Sequence, residues 1–385
     1  MNEQPNTLNR RTFVKLGAGA GLTTSAMNAF SETKKTTMKY RDLGQTKLKV
    51  SEVSLGTYGF NNSGLLEEAL DNGINLINTC AAYQHGAAEE AIGKVMKTRR
   101  KDAIIFTGWV CNPRTKKADL LKSLDSSLKR LNTDYIDIIK THNIDDPVWL
   151  DNEAQYEAFE EAKKAGKVGH LGLSCHGGNI DKVILKALTK KSFDVLQFKY
   201  NFMEQTIREK VFAEIKKQKV GIIVFKSQAG KRQNEIKDIE QKGLSHNQAT
   251  VRWSLADPNI DSVCVTINSF ADIREFKEAV MKKFSSAEDA HLKRYAKAVD
   301  HEYCRYCSTC ESSCPHGVSV ADIMRYCMYF KYYKMEKEAI QLYAQVAPEK
   351  KATACLDCPG YCMAACPHQR QVKDGLIEAG RLLVC

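Results

Sequence analysis

Fourteen cysteines are spread unevenly through 385 residues. Cys304, Cys307, Cys310 and Cys314, with Pro315 next, read C-x2-C-x2-C-x3-C-P. Cys355, Cys358, Cys362 and Cys366, with Pro367 next, repeat the run with one more residue between the second and third cysteines. Two-residue loops let three thiolates converge on one face of an iron–sulfide cubane, so this spacing points to two [4Fe-4S] clusters. The fourth cysteine of each run either completes its own set or ligates the other cluster. The eight candidate ligands are the same either way. A zinc site or a disulfide framework are the other readings, although adjacent C-x2-C pairs suit metal better than staples. Cys80, Cys111, Cys175, Cys264, Cys327 and Cys385 fit neither run, and most are expected to be small buried apolar side chains. Pro315-His316 and Pro367-His368 follow the two runs, where an imidazole hydrogen bond to cluster sulfur would tune potential.

The other end of the chain carries an address. Thr7-Leu8-Asn9-Arg10-Arg11-Thr12-Phe13-Val14-Lys15-Leu16 precedes a small apolar stretch, Gly17–Ala29. This is the pattern of a twin-arginine export signal, expected over residues 1–31 with cleavage near Ala26–Ser31. A helix of the fold is a poor alternative, because Gly17, Gly19 and Gly21 would each cost about 1 kcal/mol inside one. The expected location is the periplasm. No clean Ala-x-Ala is present, so membrane attachment through an uncleaved leader stays open, and only through that leader. The export route carries folded proteins with metal already inserted, which fits clusters better than disulfides formed after export. The net charge is +11, yet no five like charges run together. That balance suits solubility, an anionic partner and compensation of negatively charged clusters, and argues against nucleic acid.

Between Met38 and about Phe284, short β-branched runs alternate with helical patterns. Strands are expected near Val53–Thr57, Ile74–Thr79, Ala103–Thr107, Tyr135–His142, Gly169–Ser174, Asp194–Phe198, Val220–Phe225 and Ser262–Val265. Helices such as Gly86–Thr98, Lys116–Arg130 and Asn152–Lys164 place apolar residues three and four apart under lysine-rich outer faces. Eight such units predict an α/β fold, a (β/α)8 TIM barrel over residues 38–285, with its chemistry at the C-terminal strand ends. A small α-helical, ferredoxin-like, cysteine-rich domain over residues 286–385 follows. Its Tyr- and Met-rich stretch Val320–Val346 is expected to pack the tail against the barrel.

The details of the barrel segment resemble the aldo/keto reductases. The resemblance rests on Met38–Gly44, Leu48–Ser51, Val53–Thr57, Gly73-Ile74-Asn75, Thr79, Tyr83, Gly86, Glu89 and Ile92-Gly93. It continues through Ser127-Leu128, Leu131, Tyr135-Ile136-Asp137, His142, Gly172-Leu173-Ser174, Gln197, Tyr200-Asn201, Gln248-Ala249 and Arg252-Trp253. It implies a nicotinamide-dependent carbonyl reductase whose tyrosine acid is tuned by a lysine, an aspartate and a histidine. Tyr83 matches the acid and His142 the histidine. Asn78 stands at the aspartate position and Gly108 at the lysine position. Lys140, two residues before His142 and on the same strand face, is the candidate replacement cation; the plainer reading pairs it with a carboxylate inside the barrel.

The resemblance further implies that Ser174 and Gln197 hold a nicotinamide carboxamide and that Phe225 stacks on its ring. Against this, Cys175 replaces the usual asparagine, Thr266–Phe270 lacks the phosphate-loop glycine, and Phe276-Lys277 replaces the Glu-Asn pair that contacts adenine. NADP affinity is therefore expected to be reduced. Lys199 and Lys226 would add positive charge to the mouth, which suits an acidic or hydroxylated small-molecule substrate. His176 and His85 are further acid or base candidates, or solvent-facing loop residues, and Trp109 lines the mouth or packs. The leading expectation is an exported oxidoreductase whose clusters exchange electrons between an unknown electron-transfer partner and a substrate or redox group in the barrel mouth. An NADP-dependent carbonyl or sugar reductase with tightly held cofactor, and a non-catalytic electron carrier on a relic barrel, are the alternatives.

Overall fold

The structure is a computed structural model that describes residues 37–384 apart from 231, 233–235, 238–242 and 301. The expected leader, and Cys385, lie outside the described residues. Residues 37–385 cluster as one compact unit.

A hairpin of β1 (Tyr40–Asp42) and β2 (Lys49–Ser51) opens the fold. Eight parallel strands then close a barrel: β3 (Val53–Gly56), β4 (Leu76–Asn78), β5 (Ile104–Trp109), β6 (Ile136–Thr141), β7 (Val168–Cys175), β8 (Val195–Lys199), β9 (Gly221–Phe225) and β10 (Ser262–Thr266). They pair in chain order and β10 returns to β3. Every strand expected from the sequence is present. The helices that cover the barrel are α1 (Ser63–Asp71), α2 (Ala87–Arg99), α3 (Lys117–Leu131), α4 (Ala154–Lys164), α5 (Ile180–Lys190), α6 (Thr206–Gln218), α7 (His246–Leu255) and α8 (Phe270–Ala279). Their inner faces and the outward strand residues form one continuous apolar core.

Inside the barrel a second core gathers Leu76, Phe106, Ile138, Val195 and Ile223. Leu43 and Val50 of the hairpin join it and plug the N-terminal end. The plug is tight. A Cβ on Gly221 would meet Leu43 at 2.8 Å, so that strand start must be glycine.

The rest of the chain is helical: α9 (Ser286–Val299), α10 (Val320–Tyr333), α11 (Glu336–Ala344), the single turn α12 (Tyr361–Ala364) and α13 (Val372–Leu382). Val318, Val320, Ile323, Tyr343, Val372 and Leu376 give the tail its own core. A further aromatic cluster, including Tyr295, Tyr303, Tyr306 and Met328, joins it to Ala229 beside β9. The Tyr- and Met-rich stretch packs on the barrel as expected.

All these contacts fall on loops after the C-terminal strand ends. Lys199 Nζ donates to Arg305 O at 2.6 Å, Lys226 Nζ to Tyr329 Oη at 3.1 Å, and Arg325 reaches Asp145 at 3.7 Å. Gly178, just beyond β7, lies so close to the Cys307-Ser308 turn that a Cβ there would sit 2.4 Å from Ser308 Oγ. The tail therefore lies over the barrel mouth. Gly178→Val should loosen this contact and lower unfolding stability by about 1–3 kcal/mol, with faster proteolysis of the tail. Gly64→Ala, which meets only the Asn62 side chain at 3.5 Å, should leave both unchanged or raise stability by up to about 1 kcal/mol.

Candidate functional site at the barrel mouth

The deepest charged group of the mouth is Lys140, fully buried on β6. Its strand neighbours in register are both glycines, Gly108 on β5 and Gly172 on β7. A Cβ on Gly108 would sit 2.8 Å from Lys140 Cγ, and one on Gly172 would sit 2.8 Å from the Phe106 ring and 3.3 Å from Lys140 Cβ. The lysine stem thus fills the space that a side chain at position 108 would need. An ammonium group therefore stands beside Gly108 from the adjacent strand.

Lys140 Nζ donates to Asn78 Oδ1, and to Gln197 Oε1 at 3.2 Å, and stands 4.2 Å from the centre of the Phe106 ring. No carboxylate pairs with it among the described residues, so the plainer reading from the sequence does not hold. Two amide oxygens and an aromatic face offset part of the desolvation. Burial still pushes its pKa down to about 8, against smaller opposing effects of the Cys80 and Cys264 thiols.

Asn78 ends β4 and turns its other amide atom, Nδ2, to Cys264 Sγ at 3.1 Å. A neutral amide thus stands where an aspartate would have held Lys140 charged. Tyr83 follows in a tight turn that starts when its N–H donates to Cys80 O at 3.0 Å. Gln84 and His85 after it adopt left-handed backbone, φ 46° and 55°. His85 is exposed and takes no part. Tyr83 and His142 meet edge to face, with ring centres 5.5 Å apart. Burial, then the neighbouring thiols and tyrosines, raise the Tyr83 pKa well above 10. Burial, then Lys140, lower His142 to about 3, so its imidazole is neutral.

Ser174, next to last on β7, has its Oγ 3.1 Å from His142 Nδ1 while accepting the Asn143 N–H at 3.0 Å. The serine hydroxyl thus joins the Asn143 backbone to the His142 ring. His176 lies against Phe225, ring centres 4.4 Å apart and planes 37° apart. It covers the face on which a nicotinamide was expected to stack. Ser174 is committed to His142, and Gln197 Oε1 to Lys140, whereas Gln197 Nε2 is buried and has no partner among the described residues. Phe276 is buried in the core beneath α8, and Lys277 donates to Asn72. These residues do not fit a nicotinamide dinucleotide. Trp109 is buried and donates to Thr141 Oγ1 at 3.3 Å, a packing role.

The cysteine runs give two further sites. Cys304, Cys307, Cys310 and Cys366 line one cavity, and Cys314, Cys355, Cys358 and Cys362 line another. Each run therefore lends its fourth cysteine to the other set, the point that spacing left open. The cavities hold about 320 and 330 Å³ of atom-free space out to their mouths, and Val320 lines both. The described cysteines are all free. Among the described residues no three His, Cys, Asp or Glu groups close around a single-ion position. Four thiols converge on each cavity, and thiolate is the ligand that iron–sulfur clusters take. Cys80, Cys111, Cys175, Cys264 and Cys327 are buried, as expected.

Comparison with known proteins bears on the barrel. The profile of the Aldo/keto reductase family matches residues 55–234. Over that segment the barrel is similar to the aldo/keto reductases. The oxidoreductase YrpG of Bacillus subtilis is 26% identical over 304 residues, 63% of this chain and 91% of its own length. The oxidoreductase YqkF of the same organism is 33% identical over 171 residues, 39% of this chain and 53% of its own, so the chain spans about half of that relative. The fold is shared with an aldo-keto reductase of Bacillus halodurans in its holo form, at a TM-score of 0.59 and 24% identity over 70% of this chain and 99% of that one. The profile match ends before the cysteine runs.

If Lys140 replaces the residue missing at 108, the two positions should be exchangeable. Gly108→Lys alone crowds two ammonium groups into one space and should abolish function and lower stability. Gly108→Lys with Lys140→Val should recover both. A [13C]lysine NMR titration should place Lys140 near 8, and Asn78→Asp should raise it by more than a unit, since a carboxylate beside the ammonium favours its charged form.

Proposed function

We propose that this chain is an exported iron–sulfur oxidoreductase of the aldo/keto reductase type, passing single electrons between two [4Fe-4S] clusters and a small molecule at the barrel mouth. One observation carries this reading: the turn holding Cys307 lies against Gly178, and the carbonyl of Arg305 lies on Lys199, beside the strand ends that also bear His142 and Ser174. Thiols spaced for clusters are thereby set next to the barrel's chemistry.

Cys304, Cys307, Cys310 and Cys366 would hold the barrel-side cluster and Cys314, Cys355, Cys358 and Cys362 the outer one. The bound clusters would supply one electron at a time. The barrel residues handle protons and binding. Lys140 Nζ, with its pKa near 8, gives up and regains a proton at working pH. Tyr83 Oη stays protonated and donates a hydrogen bond, while the His142 imidazole stays neutral. Gln197 Nε2 is a buried donor in want of an acceptor. This set of donors around an unpaired cation suits an oxygen-rich substrate, a carbonyl or a carboxylate. The leader residues Arg10 and Arg11 support export to the periplasm, and the scarcity of free nicotinamide there agrees with the covered Phe225 face.

Protein purified without oxygen should contain about eight iron and eight sulfide per chain and give the EPR signals of reduced cubanes. Colourless, iron-free protein overturns the reading, and nucleotide released on denaturation would favour a reductase with tightly held NADP instead. Tyr83→Phe with His142→Gln should keep the iron and lose turnover by at least about a hundredfold. Unchanged turnover would reduce the barrel to a scaffold.

A further inference from the structure

The two cysteine-lined cavities differ in the charges around them. Arg305 and Arg370 both line the barrel-side cavity. Each spends one guanidinium nitrogen on the same carboxylate oxygen, since Nη2 of Arg305 and Nη2 of Arg370 both donate to Asp300 Oδ1 at 2.7 Å. Their other donors are shut away from water: Arg305 Nε and Nη1 and Arg370 Nε are buried and find no acceptor among the described residues. Buried guanidinium donors without acceptors are costly, because nothing replaces the water they have lost. Here they border a cavity formed by four cysteines.

Of the remaining charged groups, Glu311, beside Cys310, is committed to the Ala321 N–H at 2.8 Å. His368 lines it, and Lys199 is close to Cys304 but is neutralised by Glu204 at 2.5 Å. Asp300 offsets one of the two guanidinium charges, and its side chain is 53% exposed, so water screens it. The outer cavity is lined by one cation, Lys373, together with His316, and by no arginine.

Resting on the proposed function, we infer that Arg305 and Arg370, oriented by Asp300, donate to the sulfur of the barrel-side cluster and hold its reduction potential above that of the outer cluster. Reduction adds a negative charge to a cubane. Nearby cations and N–H donors therefore stabilise the reduced form more than the oxidised one, and do so strongly where water is excluded. The consequence is a direction: electrons enter at the outer cluster, whose cavity borders the exposed Leu356 and Tyr361, and run inward to the barrel. The barrel site then reduces its substrate. Asp300 is a positioning residue, and the two arginines act on the cluster itself.

The test is a redox titration of the full-length, cluster-loaded protein followed by EPR, with iron and sulfide measured first. Two reduction waves should appear. Arg305→Gln and Arg370→Gln should each lower the higher wave by a factor of ten or more in its reduction equilibrium, about 59 mV for one electron. Lys373→Met should leave that wave in place and move only the lower one. Arg305→Lys, which keeps the charge but loses the fork, should give a smaller drop; it is the variant to titrate if glutamine costs iron. Unmoved waves in the arginine variants, or movement of the lower wave alone, overturn the inference while leaving the clusters established. Wild-type protein without iron would overturn the proposed function instead.

Discussion

The ammonium of Lys199 is buried at the end of β8, and what it holds is a backbone carbonyl of the tail, that of Arg305. Glu204 supplies the countercharge, so the contact is a neutralised ion pair with one donor left for a neighbour outside the barrel. A buried ammonium cannot be left without partners, because its desolvation is repaid only by charge and hydrogen bonds. Tail and barrel are therefore tied at a point where neither can move away cheaply. The Cys307-Ser308 turn over Gly178 and the Lys226–Tyr329 contact also join the tail to the barrel. The same closure places the tail over the barrel mouth.

Lys140 shows how a site keeps a chemical group while losing its sequence position. Adjacent parallel strands place registered residues side by side, so a lysine on β6 can occupy the space vacated by a glycine on β5. Gly172 on the other side relieves the crowding from Phe106. The exchange alters the chemistry as well as the address. With Asn78 in place of a carboxylate the ammonium has no countercharge, its proton is held more loosely, and the group works near neutral pH. Tyr83 moves the opposite way, because burial among thiols and tyrosines disfavours its anion. In this mouth burial thus lowers the pKa of the lysine and raises that of the tyrosine.

The tail follows the same physics with the opposite sign. Four thiolates around inorganic sulfide would concentrate negative charge, and the barrel-side set of cysteines is met by two arginines with buried donors that find no acceptor among the described residues. The outer set is met by a single lysine. Difference in surroundings, not in ligands, distinguishes the two cavities.

The sequence by itself determined a good deal. Alternating β-branched runs and amphipathic helices fixed eight strands and their order, because hydrophobic period and strand length are local properties. Regular cysteine spacing named eight thiols for the same reason, and strand alternation put Lys140 on the face of His142. Three matters were decided only by tertiary structure, since each depends on residues far apart in the chain. These are the exchange of Cys314 and Cys366 between the two sets, the placement of Lys140 between Gly108 and Gly172, and the covering of Phe225 by His176 beneath the tail. Arg305, Arg370 and Asp300 were legible only as ordinary charges. Their meaning comes from burial and from a shared carboxylate oxygen, and neither burial nor convergence across seventy residues leaves a local trace in the chain.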